Sequence, residues 1–581
     1  MTARKVHTGA RTLVIGFDVG TTFSGVSYSI LEPGQVPVIK SVARFPGQEH
    51  VVGASKVPTA IFYDKQGIVR AEGAEIGKLS EQAEDEGWEL AEWFKLHFLP
   101  PDARDGPVLN PLPRRQTATK VLADFLRYLF QCTKTFITES HPRGEALWRI
   151  LEHDVQFVMA HPNGWEGRQQ SQMRDAAVVA GLIPGSEKGR ERLRFVTEGE
   201  ASLHFCIQNG LAADAVAQGH GLVVVDAGGG TIDLSTYHMV KKNSRPVYEE
   251  IAPPQCLFHG SIYVKERARE YFQARLGHSR KFADDVGIIA NSFDASGKLT
   301  FAGGDVSVLF GRQSDNDARL SINKGKLKIP AADAKQFFEP SIAAVVAAVR
   351  NQCVCALPIK VSSVFLVGGF AANDWLFSEL TSRLASLRLD LVRPDTHVNK
   401  AVADGAVSFH IDHHVSVRVA RATYGLSCSV VYMPENREHQ TRQANIYRGV
   451  KGDLLVPGSF STILQKGVQV TEDTEFEHTY QQRTKNRAAV DYISVDLYRY
   501  RGHTDPRWLD VDPEHYDVIC KIEANTSRLV KFPKRRTGVA GSDVYELDFS
   551  VVLSFGLTEL KAQIEWEENG AKKRGPAQIL Y

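Results

Sequence analysis

Two stretches built alike and lying far apart constrain the fold of this chain more than any other feature. The first is Leu13 to Tyr28, LVIGFDVGTTFSGVSY. The apolar run Leu13-Val14-Ile15 leads to Asp18, then to Gly20, Thr21 and Thr22, then to a second β-prone run. This is the pattern of strand, tight turn, strand. Glycine and small hydroxyl residues let the turn's backbone N–H groups approach a ligand closely. An aspartate closing the first strand can hold a metal's water shell, so the turn suits a polyphosphate with Mg²⁺. The second stretch is Leu222 to Thr236, LVVVDAGGGTIDLST. Asp226 matches Asp18, Gly228 matches Gly20 and Ser235 matches Ser27. The separation rules out neighbouring hairpins. The two read as equivalent turns of duplicated halves, each turning an aspartate toward a shared cleft.

The rest of the chain frames that cleft. At 581 residues it exceeds one core and should hold two to four domains. A formal net charge of +1 gives no reason to expect nucleic acid or an anionic membrane surface. No stretch approaches ~18 continuous apolar residues, so no membrane span is expected. The N-terminal basic residues run straight into the strand that carries Asp18, which argues against a cleavable leader. The seven cysteines are scattered and odd in number, which excludes a disulfide framework and points to a reducing, cytoplasmic setting. Cys353 and Cys355 follow an alanine-rich helix and read as packed thiols.

Periodicity predicts an alternation of strands and helices up to about residue 412. Leu79 to Phe98 reads as helical, with Lys95 near its end, and Pro100 to Arg115 as a proline-rich loop. An amphipathic helix starts at Thr117, and Val155 to Ala160 is a strand. Phe195-Val196-Thr197 leads to Glu198 and a helix reaching Ile207. Residues 277–330 show no clear pattern. Val361 to Val367 is a strand, followed by Gly368-Gly369 and helices over Asn373–Leu384 and Val398–Phe409. Alternation of this kind implies an α/β layered domain. Past residue 416, period-two patterning takes over. Tyr545, Leu547, Phe549, Val551, Leu553 and Phe555 share one face, as do Leu560, Ala562, Ile564 and Trp566. The C-terminal third therefore reads as a β-sandwich.

Three other motifs read as structural. Gly73 to Leu79, GAEIGKL, is one residue short of a P-loop and lacks its hydroxyl. The cluster His410, Asp412, His413, His414 reads as a solvated helix end rather than a metal site. The basic run Lys531 to Arg536 reads as a solvated loop. The strand–Gly368-Gly369–helix unit is different, because a bare backbone turn can pass beneath a ribose or α-phosphate.

DVGTTFSG, DAGGGTID and VGGF, in this order, resemble the nucleotide-binding domain shared by actin, sugar kinases and the heat shock protein 70 chaperones. The resemblance is to the heat shock protein 70 side, and within it to a divergent branch common in fungi, the heat shock 70 kDa protein 12-like proteins. It implies a two-lobed actin-like ATPase fold with duplicated ribonuclease-H-like halves over residues 12–412. One lobe would cover about 12–210 plus 390–412 and the other about 220–390. A C-terminal β-rich substrate-binding-like domain without a helical lid would follow over 420–581. The implied cofactors are ATP or ADP with Mg²⁺. Gly20, Thr21 and Thr22 would hold β- and γ-phosphates, Gly228, Gly229, Gly230 and Thr231 would close the other side, and Gly368, Gly369 and Phe370 would border the adenosine. Asp18 and Asp226 would hold the metal through water. Asp226 would also orient the attacking water, with Asp233 further back. Glu198 would reach the metal's water shell. Lys95 would be the catalytic lysine by its place before the long loop, and Lys298 would line the adenine pocket.

The chain departs from the chaperones at Gly199, where they have proline, and in residues 277–330, which lack the usual adenine-clamping helix. Its stretch HHVSVRVARATYG replaces an acidic hydrophobic linker. The resemblance therefore implies a slow, Mg-dependent ATPase with chaperone-like binding of unfolded or extended polypeptide segments and co-chaperones as further partners. Coupling between nucleotide and peptide should be modest. Two alternatives stand beside this: a nucleotide-dependent scaffold with negligible hydrolysis, and a sugar kinase on the same fold.

Overall fold

The computed structural model describes residues 4–49, 51, 55–99, 109–165, 167–211, 219–242, 245–394, 398–502, 504–527, 536–537, 543–556, 559–568 and 570–575. Residues 100–108 of the proline-rich loop and 531–535 of the basic run lie outside them. The fold is mixed α/β and compatible with an actin-like ATPase fold. The chain divides into two compact units, Met1–Trp165 with Gln172–Val415 and Glu166–Ser171 with Ser416–Tyr581.

The first unit holds two sheets of the same plan. In one, β1 (Thr12–Val19) pairs antiparallel with β2 (Phe23–Leu31), which also takes the short β3 (Val57–Pro58). On its other side β1 runs parallel to β4 (Val155–His161), which runs parallel to β5 (Leu193–Thr197). In the other sheet, β6 (Gly221–Ala227) pairs antiparallel with β7 (Ile232–Lys242), which pairs antiparallel with β8 (Arg245–Leu257). On its far side β6 runs parallel to β9 (Val361–Val367) and β9 to β10 (Asp390–Val392). The apolar runs of β1 and β6 are buried along nearly their whole length, as central strands covered on both faces must be.

Helices supply the cover. α1 (Ala118–Ser140) puts Val121, Leu122, Phe125, Leu126 and Leu129 into the core of the first sheet. α2 (Glu198–Gln208) starts directly from β5 and is capped by Thr197, whose hydroxyl accepts from Glu200 N. α3 (Ala331–Cys355) and α4 (Asp374–Ala385) pack on the second sheet. α5 (Ala401–Asp412) lies on β1, where Gly16 leaves room for Ala403, Ala406 and Val407.

α2 and α5 cross at Gly405. A Cβ there would lie 1.8 Å from Ala201 O and 2.4 Å from its carbonyl carbon, both backbone atoms that cannot swing aside. Gly405→Ala is expected to destabilise this unit by about 3 kcal/mol, the upper end for overpacking. Chemical denaturation reads it, and an unchanged midpoint would mean that the two helices are free to separate.

Several predicted elements are revised. Leu79–Phe98 is not one helix: a short helix (Ser80–Glu86) is followed by a strand (Glu89–Glu92) and a 3₁₀ turn (Phe94–Phe98). The strand pairs with Ala60–Tyr63, and Trp93 takes a left-handed φ of 52°, which breaks any helix there. Residues 277–330 are ordered into a continuous helical stretch, Val286–Ser292, a π turn at Phe293–Gly297 and Lys298–Thr300, followed by a small antiparallel sheet. α5 ends at Asp412 with His413 in a left-handed turn, so His410 and His414 do not share a helix face. Nor is that end freely solvated. His410 and His414 are half-buried, and Asp412 accepts from Arg4 and Ser408. Cys353 is half-buried as expected of a packed thiol, but Cys355 is exposed.

The second unit contains two antiparallel sheets. One runs 447–448, 454–464, 423–431, 492–500, 516–525 in spatial order, and the other 475–484, 543–556, 559–568, 571–574. Leu426, Ile493, Leu497 and Ile522 from the first share a core with Leu547, Phe549, Val551, Leu553, Ile564 and Trp566 from the second. The polar face opposite that core is less open than the alternation suggests. Glu565 is buried beneath Lys572 and Arg574, which bond it at 2.5 and 2.8 Å.

Candidate functional site

The two hairpin turns meet. Asp18 pairs with Gly25 across the first hairpin and Asp226 with Asp233 across the second, so each aspartate closes its central strand just before the turn. Between the turns lies a cleft of about 1220 Å³. Asp18, Gly20, Thr21, Thr22, Lys95, Glu198, Asp226, Gly228, Gly229, Gly230, Thr231, Gly368, Gly369, Phe370 and Lys298 all line it, so every candidate residue but Asp233 opens onto one space. Asp233 is fully buried one layer behind, accepting from Asn163 N at 2.6 Å.

The turn after β9 passes close to Asp226 and Ala227. Gly368 has φ +92°, and a Cβ there would lie 2.4 Å from Asp226 Oδ1 and 2.5 Å from Ala227 O. Only glycine fits both the backbone conformation and the space. Asn373 caps α4 and donates to Lys298 O at 2.8 Å, which ties this turn to the helical stretch over 286–300. That stretch adds Asp294, Ala295, Lys298 and Leu299 to the wall, so a helix does border the cleft where the sequence shows no pattern.

Lys95 is buried on its 3₁₀ turn and donates to Glu198 Oε1 at 2.6 Å. Burial pulls its pKa down, but the Glu198 carboxylate, with Asp18 and Asp233 adding to it, leaves it raised. Asp226 accepts from Ser202 Oγ at 2.7 Å. Burial, then the nearby Glu198 charge, pushes its pKa well above the usual carboxylate range, with Asp18 and Asp233 adding to the effect. Asp233 is pushed up to about 7, by burial first and Glu198 second. Burial raises both carboxyls first, and the mutual repulsion of Asp18, Glu198, Asp226 and Asp233 adds to it.

Comparison with known proteins finds distant relatives. No family model matches the chain. Human heat shock 70 kDa protein 12B is 22% identical over 512 residues, 73% of this chain and 72% of that protein. Human heat shock 70 kDa protein 12A is 23% identical over 638 aligned positions, 95% of this chain and 89% of its own length. Mouse heat shock 70 kDa protein 12A is 23% identical over 499 residues. The chain is a divergent relative of the heat shock 70 kDa protein 12 proteins.

In this relative of the heat shock 70 kDa protein 12 proteins, three wall residues carry no signal in the sequence. Lys56 bonds Asp18. Asp294 bonds Lys298. Arg393 donates to Ala371 O at 3.1 Å and stacks over Phe377, its guanidinium 4.4 Å from the ring centroid. Each of these contacts except the Lys298 pair joins residues far apart in the chain, and no local periodicity encodes such a meeting. Asn373 was open to detection, because an asparagine before a helical run is a capping signal.

Proposed function

We propose that this chain binds ATP with Mg²⁺ between two lobes of an actin-like ATPase domain and hydrolyses it slowly. Residues 420–581 would form a β-sandwich that takes extended polypeptide segments. One observation carries the nucleotide reading: two equivalent aspartate–glycine turns, from sheets of the same plan, open onto one cleft with Lys95, Glu198 and the Gly368-Gly369 turn. The donor set fits a polyphosphate with a divalent cation. Backbone N–H groups of Gly20–Thr22 and Gly228–Thr231 are suited to phosphate oxygens. Asp226, raised by burial and then by its carboxylate neighbours, is suited to a cation. Asp18 and Asp226 would hold that cation through water. A bound metal would neutralise charge on the phosphates. Asp226, fixed by Ser202, would orient the attacking water. Lys95 would offer its ammonium to the transferred phosphoryl group while Glu198 holds it in place.

The sugar kinase and the scaffold differ from this reading in where the phosphoryl group goes. Phosphate release from ATP, measured with and without hexoses and glycerol, is expected to show slow turnover that is indifferent to the sugars. A phosphorylated sugar would establish the kinase instead, and bound ATP without phosphate release the scaffold. The polypeptide partner rests on the resemblance, and a cytoplasmic location on the scattered, odd-numbered cysteines. No helix of the described residues is long and apolar enough to cross a membrane.

A further inference from the structure

Lys56 sits at the phosphate end of the cleft and is held there by backbone rather than by chance reach. Val57 pairs with Ser24 just past the first turn, and Thr59 N donates to Thr22 O at 2.8 Å. Gln48 Nε2 donates to Lys56 O at 2.8 Å. From this anchor the side chain lines the cleft, and its ammonium bonds Asp18, one of the two aspartates suited to the metal's water shell. The other ammonium at this end, on Lys95, bonds Glu198. Lys298 is paired with Asp294 on the helical stretch.

We propose that Lys56 is a resident cation of the nucleotide site, an alternative partner to the metal for Asp18 that also holds the terminal phosphate of bound ATP. This rests on the ATP reading above. An ammonium carries three donors on a flexible stem, so it can keep Asp18 and donate to a phosphate oxygen at once, or move wholly to the phosphate when a divalent cation takes Asp18. The first arrangement keeps one positive charge beside the phosphates when the metal is scarce; in the second the metal itself supplies that charge and Lys56 adds little to it. The protein should therefore depend on Mg²⁺ for ATP binding less than a cleft lined by carboxylates alone.

Calorimetric titration with ATP and with ADP, in Mg²⁺ and in EDTA, tests this on wild type, Lys56→Met and Lys56→Arg. A charge-assisted hydrogen bond corresponds to roughly ten- to a hundredfold in affinity. Lys56→Met is expected to lose about that much for ATP in EDTA, less for ADP, and no more than about threefold for either nucleotide in Mg²⁺. Lys56→Arg should stay near wild type. Lys56→Gln, which can still bond Asp18, replaces the methionine variant if that one does not fold. Unchanged ATP affinity in EDTA for the uncharged variant would overturn the role of Lys56 and leave the ATP reading standing. A wild type that binds no ATP in either buffer would overturn both.

Discussion

Lys95→Met is expected to lower the single-turnover rate of ATP hydrolysis by about 10²–10³, the usual cost of losing one preorganised donor to developing charge. The lysine is not a surface residue at a helix end. It is 6% exposed, lies against Trp165 with its ammonium 5.5 Å from the ring, and is fixed by Glu198. The same burial adds a second effect. Without Lys95 the buried Glu198 carboxylate is left beside Asp226 and Asp233, and stranding one partner of a buried pair costs about 3–5 kcal/mol. Rate and stability can be separated. Lys95→Met with Glu198→Gln should regain much of the stability, since the stranded charge is gone, but not the rate. Single-turnover measurement is needed, because slow product release would mask a change in the chemical step. An unaltered single-turnover rate in Lys95→Met would remove the lysine from the reaction.

Gly229→Val is expected to weaken ATP binding by more than about a hundredfold, because several charge-assisted hydrogen bonds to phosphate would be lost together. A Cβ on Gly229 would lie 2.3 Å from Thr22 Oγ1 and 3.2 Å from Thr22 Cβ, so the substituted residue strikes the opposite hairpin. Gly230 faces Thr21 in the same way, at 2.4 Å from its Oγ1. The two turns are thus packed glycine against threonine, and a branched side chain must wedge them apart. The damage is to the spacing of the hairpins, and not only to the approach of a phosphate. A folded Gly229→Val protein with wild-type ATP affinity would show that the two turns do not grip one ligand.

What could be read in the sequence was whatever short-range chemistry encodes. The strands of both hairpins, the bare turn at Gly368-Gly369 and the helix led by Glu198 are local patterns, and the structure forms each of them. Lys95 was found, but on the wrong element. Leu79–Phe98 reads as helical in sequence, yet the pairing of Glu89–Glu92 with Ala60–Tyr63 overrides local preference and leaves only a 3₁₀ turn. The helix over 286–300 was hidden by Asp294-Ala295-Ser296-Gly297, a turn-like composition. Burial of Phe293 and the bond from Asn373 to Lys298 O accompany its helical, π-turned form. Lys56 had no local signal at all, since its partner Asp18 is a strand and a hairpin away.

The central claim is that the paired hairpins form one polyphosphate site, and calorimetric titration of the wild-type chain with ATP and ADP tests it most directly. The account predicts one site per chain, with ATP binding strengthened by Mg²⁺ and abolished by Gly229→Val. Absence of binding heat with either nucleotide, with and without Mg²⁺, from a cooperatively folded protein would contradict it.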